Sequence, residues 1–213
     1  MVSWFARFFD VLGDTKNSSS STGGRQDRII AQQVQPRLQP RLHSFMFNGI
    51  QQDTLYWPTS SGETTASPAQ RWQSERLPEE SEGRFVLRQL AEALEQPGTL
   101  ADYHFRIQGC CNVLWGLRRD EPELLDELEH LCLLDLQLIE AYPALISFDN
   151  QPAPGLHVED CHRLVYFYER DGYLQDALLI ALRGQRLNPQ TMSQDVARLR
   201  ERVARLEAED ASA

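Results

Sequence analysis

Residues Cys161 to Pro189, CHRLVYFYERDGYLQDALLIALRGQRLNP, carry two apolar stripes separated by one glycine. Cys161, Leu164, Val165 and Tyr168 recur at i, i+3, i+4 and i+7, and Leu174, Ala177, Leu178 and Ala181 repeat the pattern. That period places each set on one face of a helix. Gly172 lets the backbone reverse between them, and the small Ala177 and Ala181 let two helices approach closely. Pro189 lacks an amide proton and stops the second helix. The spacing predicts a helical hairpin.

An earlier stretch follows the same plan. Cys110 to Asp120, CCNVLWGLRRD, lies on Cys161 to Asp171, CHRLVYFYERD, at a constant offset of 51 residues. Cys110 matches Cys161, Leu114 matches Val165, Trp115 matches Tyr166, and Arg119-Asp120 matches Arg170-Asp171. The next residues, EPELLDELEHLCLLDLQLIEAYP, open with a capping signal in which Asp120 caps, Pro122 enters the first turn and Glu123 completes the box. Leucines cover most of this helix and leave a narrow polar stripe at Asp126, His130, Gln137 and Glu140. A helix so apolar is expected between two neighbours.

Leu164, Tyr168, Gly172, Ala177, Ala181 and Pro189 lie at offsets 0, 4, 8, 13, 17 and 25, a spacing that resembles the marked positions of a tetratricopeptide hairpin. The block from about Leu100 to Pro189 resembles bacterial proteins with two tetratricopeptide-like hairpins joined by a loop. DYHFRIQGCCNVLWGLRRDEPELL, the Leu-rich helix ending at Tyr142-Pro143, and LVYFYERDGYLQDAL carry that likeness. Leu174 and Ala181 stand where such repeats commonly hold aromatics, Gly184 replaces a small alanine, and the first hairpin loses register after Asp120. The resemblance implies a bacterial all-α scaffold with one intact and one degenerate repeat, and specifies no reaction. An ordinary helical hairpin in another all-α fold has the same stripes, so that alternative stays open.

Charge and composition divide the chain. Met1 to Arg76 holds 8 basic and 6 acidic residues, whereas Leu77 onward holds 13 basic and 25 acidic, so the expected folded part is acidic. Such a surface disfavours nucleic acid as a partner. Basic residues are 20 Arg and the single Lys16, a bias that codon usage in a GC-rich genome accounts for. No apolar run approaches the ~18 residues of a spanning helix, and Arg7 and Asp10 interrupt the early apolar stretch, so neither a membrane span nor a secretory signal is expected. With four cysteines, this predicts a cytoplasmic, reducing compartment.

Residues 1–13 (MVSWFARFFDVLG) form an amphipathic candidate, with Trp4, Phe5, Phe8 and Phe9 on one broad face. Docking on its own domain or on a partner ranks ahead of contact with a membrane surface, because Arg7 is the early positive charge and Asp10 opposes anionic lipid. Residues 14–84 are rich in Ser, Gln, Pro and Gly, including SSSSTGG and a doubled QPRLQPRL, and read as a disordered linker. Within it, Phe45-Met46-Phe47 and Leu55-Tyr56-Trp57 are apolar islands able to dock.

The helical domain is expected over 85–189. Its first helix covers Phe85 to Glu95, and Thr99 with Asp102 starts the next. Asp149 to Gly155 reads as a plain loop. A last helix in 190–213, with Thr191 and Gln194 as its cap, carries Val196, Leu199, Val203 and Leu206 at alternating steps of three and four. It reads as a capping helix or as two heptads of coiled coil, the latter making a homo-oligomer.

Catalytic and metal motifs fail on spacing. Cys110-Cys111, His130-x-Cys132 and His157-x3-Cys161-His162 contain no paired C-x2-C or H-x3-H knuckle, and Cys161 occupies the core phase of its stripe. No G-x-S-x-G, phosphate loop or dinucleotide fingerprint occurs, and pairs such as Glu79-Glu80 and Glu159-Asp160 read as surface. No cofactor, metal or reaction is therefore expected. A Cys/His enzyme is the most distant reading.

In a tetratricopeptide-like stack the first helix of each hairpin lines a concave groove. The non-core positions there are Glu159, His162, Tyr166, Glu169 and Arg170, with Cys111, Trp115, Arg118 and Arg119 in the degenerate copy. Of these, Trp115, Arg118, Arg119, His162, Tyr166, Glu169 and Arg170 form the expected partner-binding set. Aromatic and arginine side chains dominate binding hot spots. The expected function is a protein-binding adaptor that holds a peptide or partner helix. The alternative is a structural subunit of a larger assembly, and both rings could simply finish the seam between hairpins.

Overall fold

Around Gly172 the chain turns as its sequence requires. Gly172 has φ of +86°, and Tyr173 N–H donates back to Tyr168 O at 2.8 Å, so the glycine ends one helix while the turn satisfies its last carbonyls. The computed structural model describes residues 39–47, 50–143, 147–148, 151–152 and 159–211. The amphipathic segment 1–13, the linker before residue 39 and His157 lie outside the described residues.

Three strands come first: β1 (Arg41–Phe47), β2 (Ile50–Thr59) and β3 (Gly62–Thr64). Helices α1 (Pro68–Arg71), α2 (Glu82–Leu94), α3 (Leu100–Leu117) and α4 (Leu125–Ala141) follow, with a 3-10 turn at Pro122–Leu124. A minimal ladder, β4 (Ser147–Phe148) and β5 (Gln151–Pro152), precedes α5 (Glu159–Arg170), α6 (Leu174–Leu187) and α7 (Pro189–Asp210). The molecule is mostly helical, with a small sheet ahead of the helices. Each helix from α2 to α7 packs on the next in chain order.

The sheet corrects the reading of 14–84 as a linker without structure. β1 and β2 pair antiparallel from Arg41 opposite Tyr56 to Phe47 opposite Ile50, and β2 pairs with β3 from Trp57 opposite Thr64 to Thr59 opposite Gly62. Both apolar islands fall in these strands. The dipeptide Asn48-Gly49 between them is a hairpin signal that composition conceals. Trp57 is buried, whereas Leu42, Phe45 and Met46 stay exposed.

The rest of that segment is tied down by side chains of the helices rather than by a pattern of its own. Arg106 on α3 donates to the carbonyls of Ala69 and Trp72 at 3.1 and 2.8 Å and also to that of Gln70. Glu92 on α2 accepts from Trp72 Nε1 at 3.1 Å and from Ser74. Arg88 reaches the Glu75 carbonyl and both oxygens of Glu80, at 2.8 to 2.9 Å. These bonds strap residues 69–80 across α2 and α3.

Helix starts follow the sequence in one place and differ in two. Thr99 and Asp102 form a complete capping box, with Asp102 N–H on Thr99 Oγ1 at 3.2 Å and Thr99 N–H on Asp102 Oδ2 at 2.9 Å. Asp120 does not cap: Pro122 opens a 3-10 turn first, and α4 begins at Leu125 without a side-chain cap. Thr191 does not cap α7 either, because Pro189 is already in its first turn and Thr191 Oγ1 donates back to Asn188 O. Pro189 therefore ends α6 and opens α7. The expected loop Asp149 to Gly155 includes strand β5, with Ser147 opposite Pro152 and Phe148 opposite Gln151.

The core runs through the helices. Leu128, Leu138, Leu164, Ala177, Ala181, Met192 and Leu199 are wholly buried, and the stripe Asp126, His130, Gln137 and Glu140 is exposed as expected. On α7 the burial ends near Leu199: Met192, Val196 and Leu199 pack inward, while Leu206 is exposed. The first half of α7 thus covers α5 and α6; beyond Leu199, Val203 still packs on the core and Arg202 pairs with Glu169, and the residues after Val203 are exposed.

Candidate functional site

Two aromatic residues matched in the sequence meet in space. Trp115, near the C-terminal end of α3, presents its ring edge-on to Tyr166 of α5, with centroids 5.3 Å apart. Phe167 completes the group at 5.6 Å from Trp115. Phe167 is buried, Trp115 half-buried, and Tyr166 exposed at 48%. Edge-to-face geometry sets the positive rim of one ring against the negative face of another.

Arginines surround the rings. The Arg118 guanidinium lies over Trp115 at 4.4 Å and donates to the Trp115 carbonyl at 2.6 Å. Arg163 approaches the same ring at 5.9 Å, and Arg170 lies over Phe167 at 5.6 Å while donating to Asp171 at 2.7 Å. Cations over aromatic faces are attracted by the ring quadrupole, and here that fixes side chains otherwise free to swing. Arg119 is exposed on the turn after α3.

The remaining two expected residues face elsewhere. His162 Nδ1 lies 3.0 Å from Asp195 Oδ2, and Glu169 is paired with both Arg198 and Arg202. All three partners belong to α7. His162 and Glu169 therefore join the chain's own last helix, and the set of seven divides into a surface cluster and an internal seam.

Beneath the rings lies a polar network absent from the expected site. Arg163, only 4% exposed, donates Nη1 to Asp160 and Nη2 to Asn112 Oδ1 of α3. Asp160 is 3% exposed, which corrects its reading as a surface acid. Across the helices His104 Nδ1 stands 2.6 Å from Asp135 Oδ1, both side chains being fully buried. The second oxygens of the two acids, Asp135 Oδ2 and Asp160 Oδ2, are buried with no hydrogen-bond partner among the described residues.

Burial also disfavours the ionised form of both acids. Burial raises Asp135 to about 7, and burial with the neighbouring Asp135 charge raises Asp160 to about 7. His104 is shifted down, because burial penalises its cationic form. The thiols Cys111 and Cys132 face this network, their sulfurs 3.9 Å apart and Cys132 Sγ 3.5 Å from Asp160 Oδ1. No spacing along the chain announced the meeting of Cys111, Cys132 and Asp160, since these three come from three different helices.

A signal for the network was nevertheless present. Asp135 sits in phase with Leu128, Leu131 and Leu138, and Asp160 and Arg163 share a face with Leu164 and Phe167. A charged residue at the core phase of an apolar helix needs a buried partner. A separate open hollow of about 380 Å³ lies between α4 and α6, lined in part by Leu133, Tyr168, Tyr173, Leu179 and Arg183. None of the seven expected residues lines it. No model of a protein family, no curated protein and no solved structure matches the chain.

Proposed function

We propose that this chain is a protein-binding scaffold whose partner docks on Trp115, Tyr166, Arg118, Arg119 and Arg170. The observation that carries the reading is the open Tyr166 ring held edge-on to Trp115, with Arg118 stacked on the other ring. Such a surface loses little side-chain freedom on binding, and aromatic and arginine groups contribute most where a partner excludes water. The charges favour an acidic peptide or helix. His162 and Glu169 do not belong to this docking surface, since α7 engages them.

A repeat-like stack supports the same reading. Positions related by the 51-residue offset touch at two places, Asn112 with Arg163 and Trp115 with Tyr166, as facing first helices of successive hairpins would. The test is cross-linking of the full chain in its native cells, followed by quantitative binding of each captured partner to Trp115→Ala, Tyr166→Ala and Arg118→Ala. Loss of affinity by tenfold or more for one partner supports the surface. Retention of every partner by all three variants removes it.

The exposed end of α7 after Val203 favours a second reading, a subunit of a larger assembly joined through Leu206. Light scattering on the full chain separates the two. A concentration-independent monomer that binds the peptide favours the scaffold, and a stable oligomer broken by Leu206→Glu favours assembly.

A further inference from the structure

Cys111 of α3, Cys132 of α4 and Asp160 of α5 are all buried, and one ligand atom from each lies within 4.8 Å of the other two. The sulfur–sulfur separation is 3.9 Å and the closer sulfur–oxygen separation 3.5 Å. A tetrahedral ion with bonds of about 2.3 Å to sulfur and about 2.0 Å to oxygen holds two sulfurs about 3.8 Å apart and sulfur and oxygen about 3.5 Å apart. Both separations from Cys132 match those spacings, and the Cys111 sulfur lies within 4.8 Å of the Asp160 oxygen. We propose that Cys111, Cys132 and Asp160 bind one thiophilic divalent cation, Zn²⁺ by the chemistry of the set.

A second observation points to a ligand. Asp160 Oδ2 is buried with no N–H or hydroxyl on it, and so is Asp135 Oδ2, one helical turn beyond Cys132. Asp160 Oδ1, the oxygen 3.5 Å from Cys132, also accepts from Arg163, and the bare Oδ2 keeps its lone pairs open to a proton or a metal ion. Arg163 on Asp160 Oδ1 would repel a cation at a neutral site, but here it balances the charge. Two thiolates and one carboxylate carry three negative charges; Zn²⁺ and one guanidinium carry three positive. Sulfur ligands favour zinc over magnesium or calcium, which take oxygen donors.

The ion would join three helices whose ligands stand 21 and 28 residues apart along the chain. Because the unfolded chain has no such site, binding free energy adds to folding stability. With three protein ligands, the fourth position remains for water.

The test is titration of the metal-free full chain with Co²⁺, followed by displacement with Zn²⁺. Expected are one equivalent bound, a thiolate-to-cobalt charge-transfer band with intense tetrahedral visible bands, and a higher melting temperature in Zn²⁺. Cys111→Ser and Cys132→Ser lose the band, and Cys110→Ser, at the adjacent thiol, keeps it. No charge-transfer band in the wild-type chain, or one that survives the Cys111→Ser/Cys132→Ser double variant, overturns the site. The wild-type spectrum reports thiolate ligation by itself, so the test stands even where a serine variant does not fold.

Discussion

Cys161 and Gly184 stand so close that a β-carbon on residue 184 would lie 3.0 Å from the Cys161 sulfur and 3.0 Å from Met192 Cγ. Gly184 thus marks the point where α5, α6 and α7 converge. Gly184→Ala is expected to cost ~1–3 kcal/mol by overpacking, despite the higher helix propensity of alanine. Chemical denaturation reads the loss. Cys161→Ala in the same chain should recover part of it, because Met192 still crowds the added methyl.

Gly172 has the opposite origin. A β-carbon there meets nothing within 4 Å, yet the residue has φ of +86°. Gly172→Ala is therefore expected to cost ~1–2 kcal/mol through backbone strain alone, and Gly172→Asn less, since asparagine tolerates that region better. Equal stability of the two variants in thermal unfolding would contradict a strained turn.

Acid sensitivity should report the strap over α2. The hydrogen bond from Arg88 lowers Glu80 from the usual 4.5 to about 2. A depressed folded pKa means that this group's stabilisation is present above pH 4.5 and is lost as pH falls toward 2. Glu80→Gln should flatten the acid limb of stability against pH over that window. An unchanged limb would show that the Arg88–Glu80 pair does not couple to folding.

Arg106→Ala tests the other end of the strap. It removes three donors to the carbonyls of residues 69, 70 and 72 while leaving the apolar faces of α2 and α3 in place. Limited proteolysis is expected to cut between Arg71 and Arg76 faster than in the wild-type chain, with helical circular dichroism retained. Global unfolding instead would mean that the strap is part of the core.

The hairpin at Gly172 and the exposed stripe on α4 were legible because each is encoded by residues three or four apart. The sheet was not, since Asn48-Gly49 and the two islands lie inside a stretch whose composition is that of a linker. The strap was invisible for a different reason: its bonds come from Arg106, Glu92 and Arg88, well removed in sequence from the carbonyls and side chains they hold. Trp115 and Tyr166 could be matched by offset, whereas His162 and Glu169 could not be assigned to α7 without knowing which way that helix returns. Gly184 looked like a departure from a repeat, and Cys161 and Met192 explain it.

The buried acids give the most discriminating experiment. Asp135→Asn keeps an oxygen to accept from His104 Nδ1–H and carries no charge to be buried beside Asp160. Asp160 then ionises against Arg163. Stability near neutral pH should stay within about 1 kcal/mol of the wild-type chain. Asp135→Leu, of similar bulk, strands the His104 donor, at ~2–4 kcal/mol. Denaturant midpoints at neutral pH compare the two. Equal losses, or a smaller loss for leucine, would mean that the His104–Asp135 hydrogen bond does not hold α3 to α4.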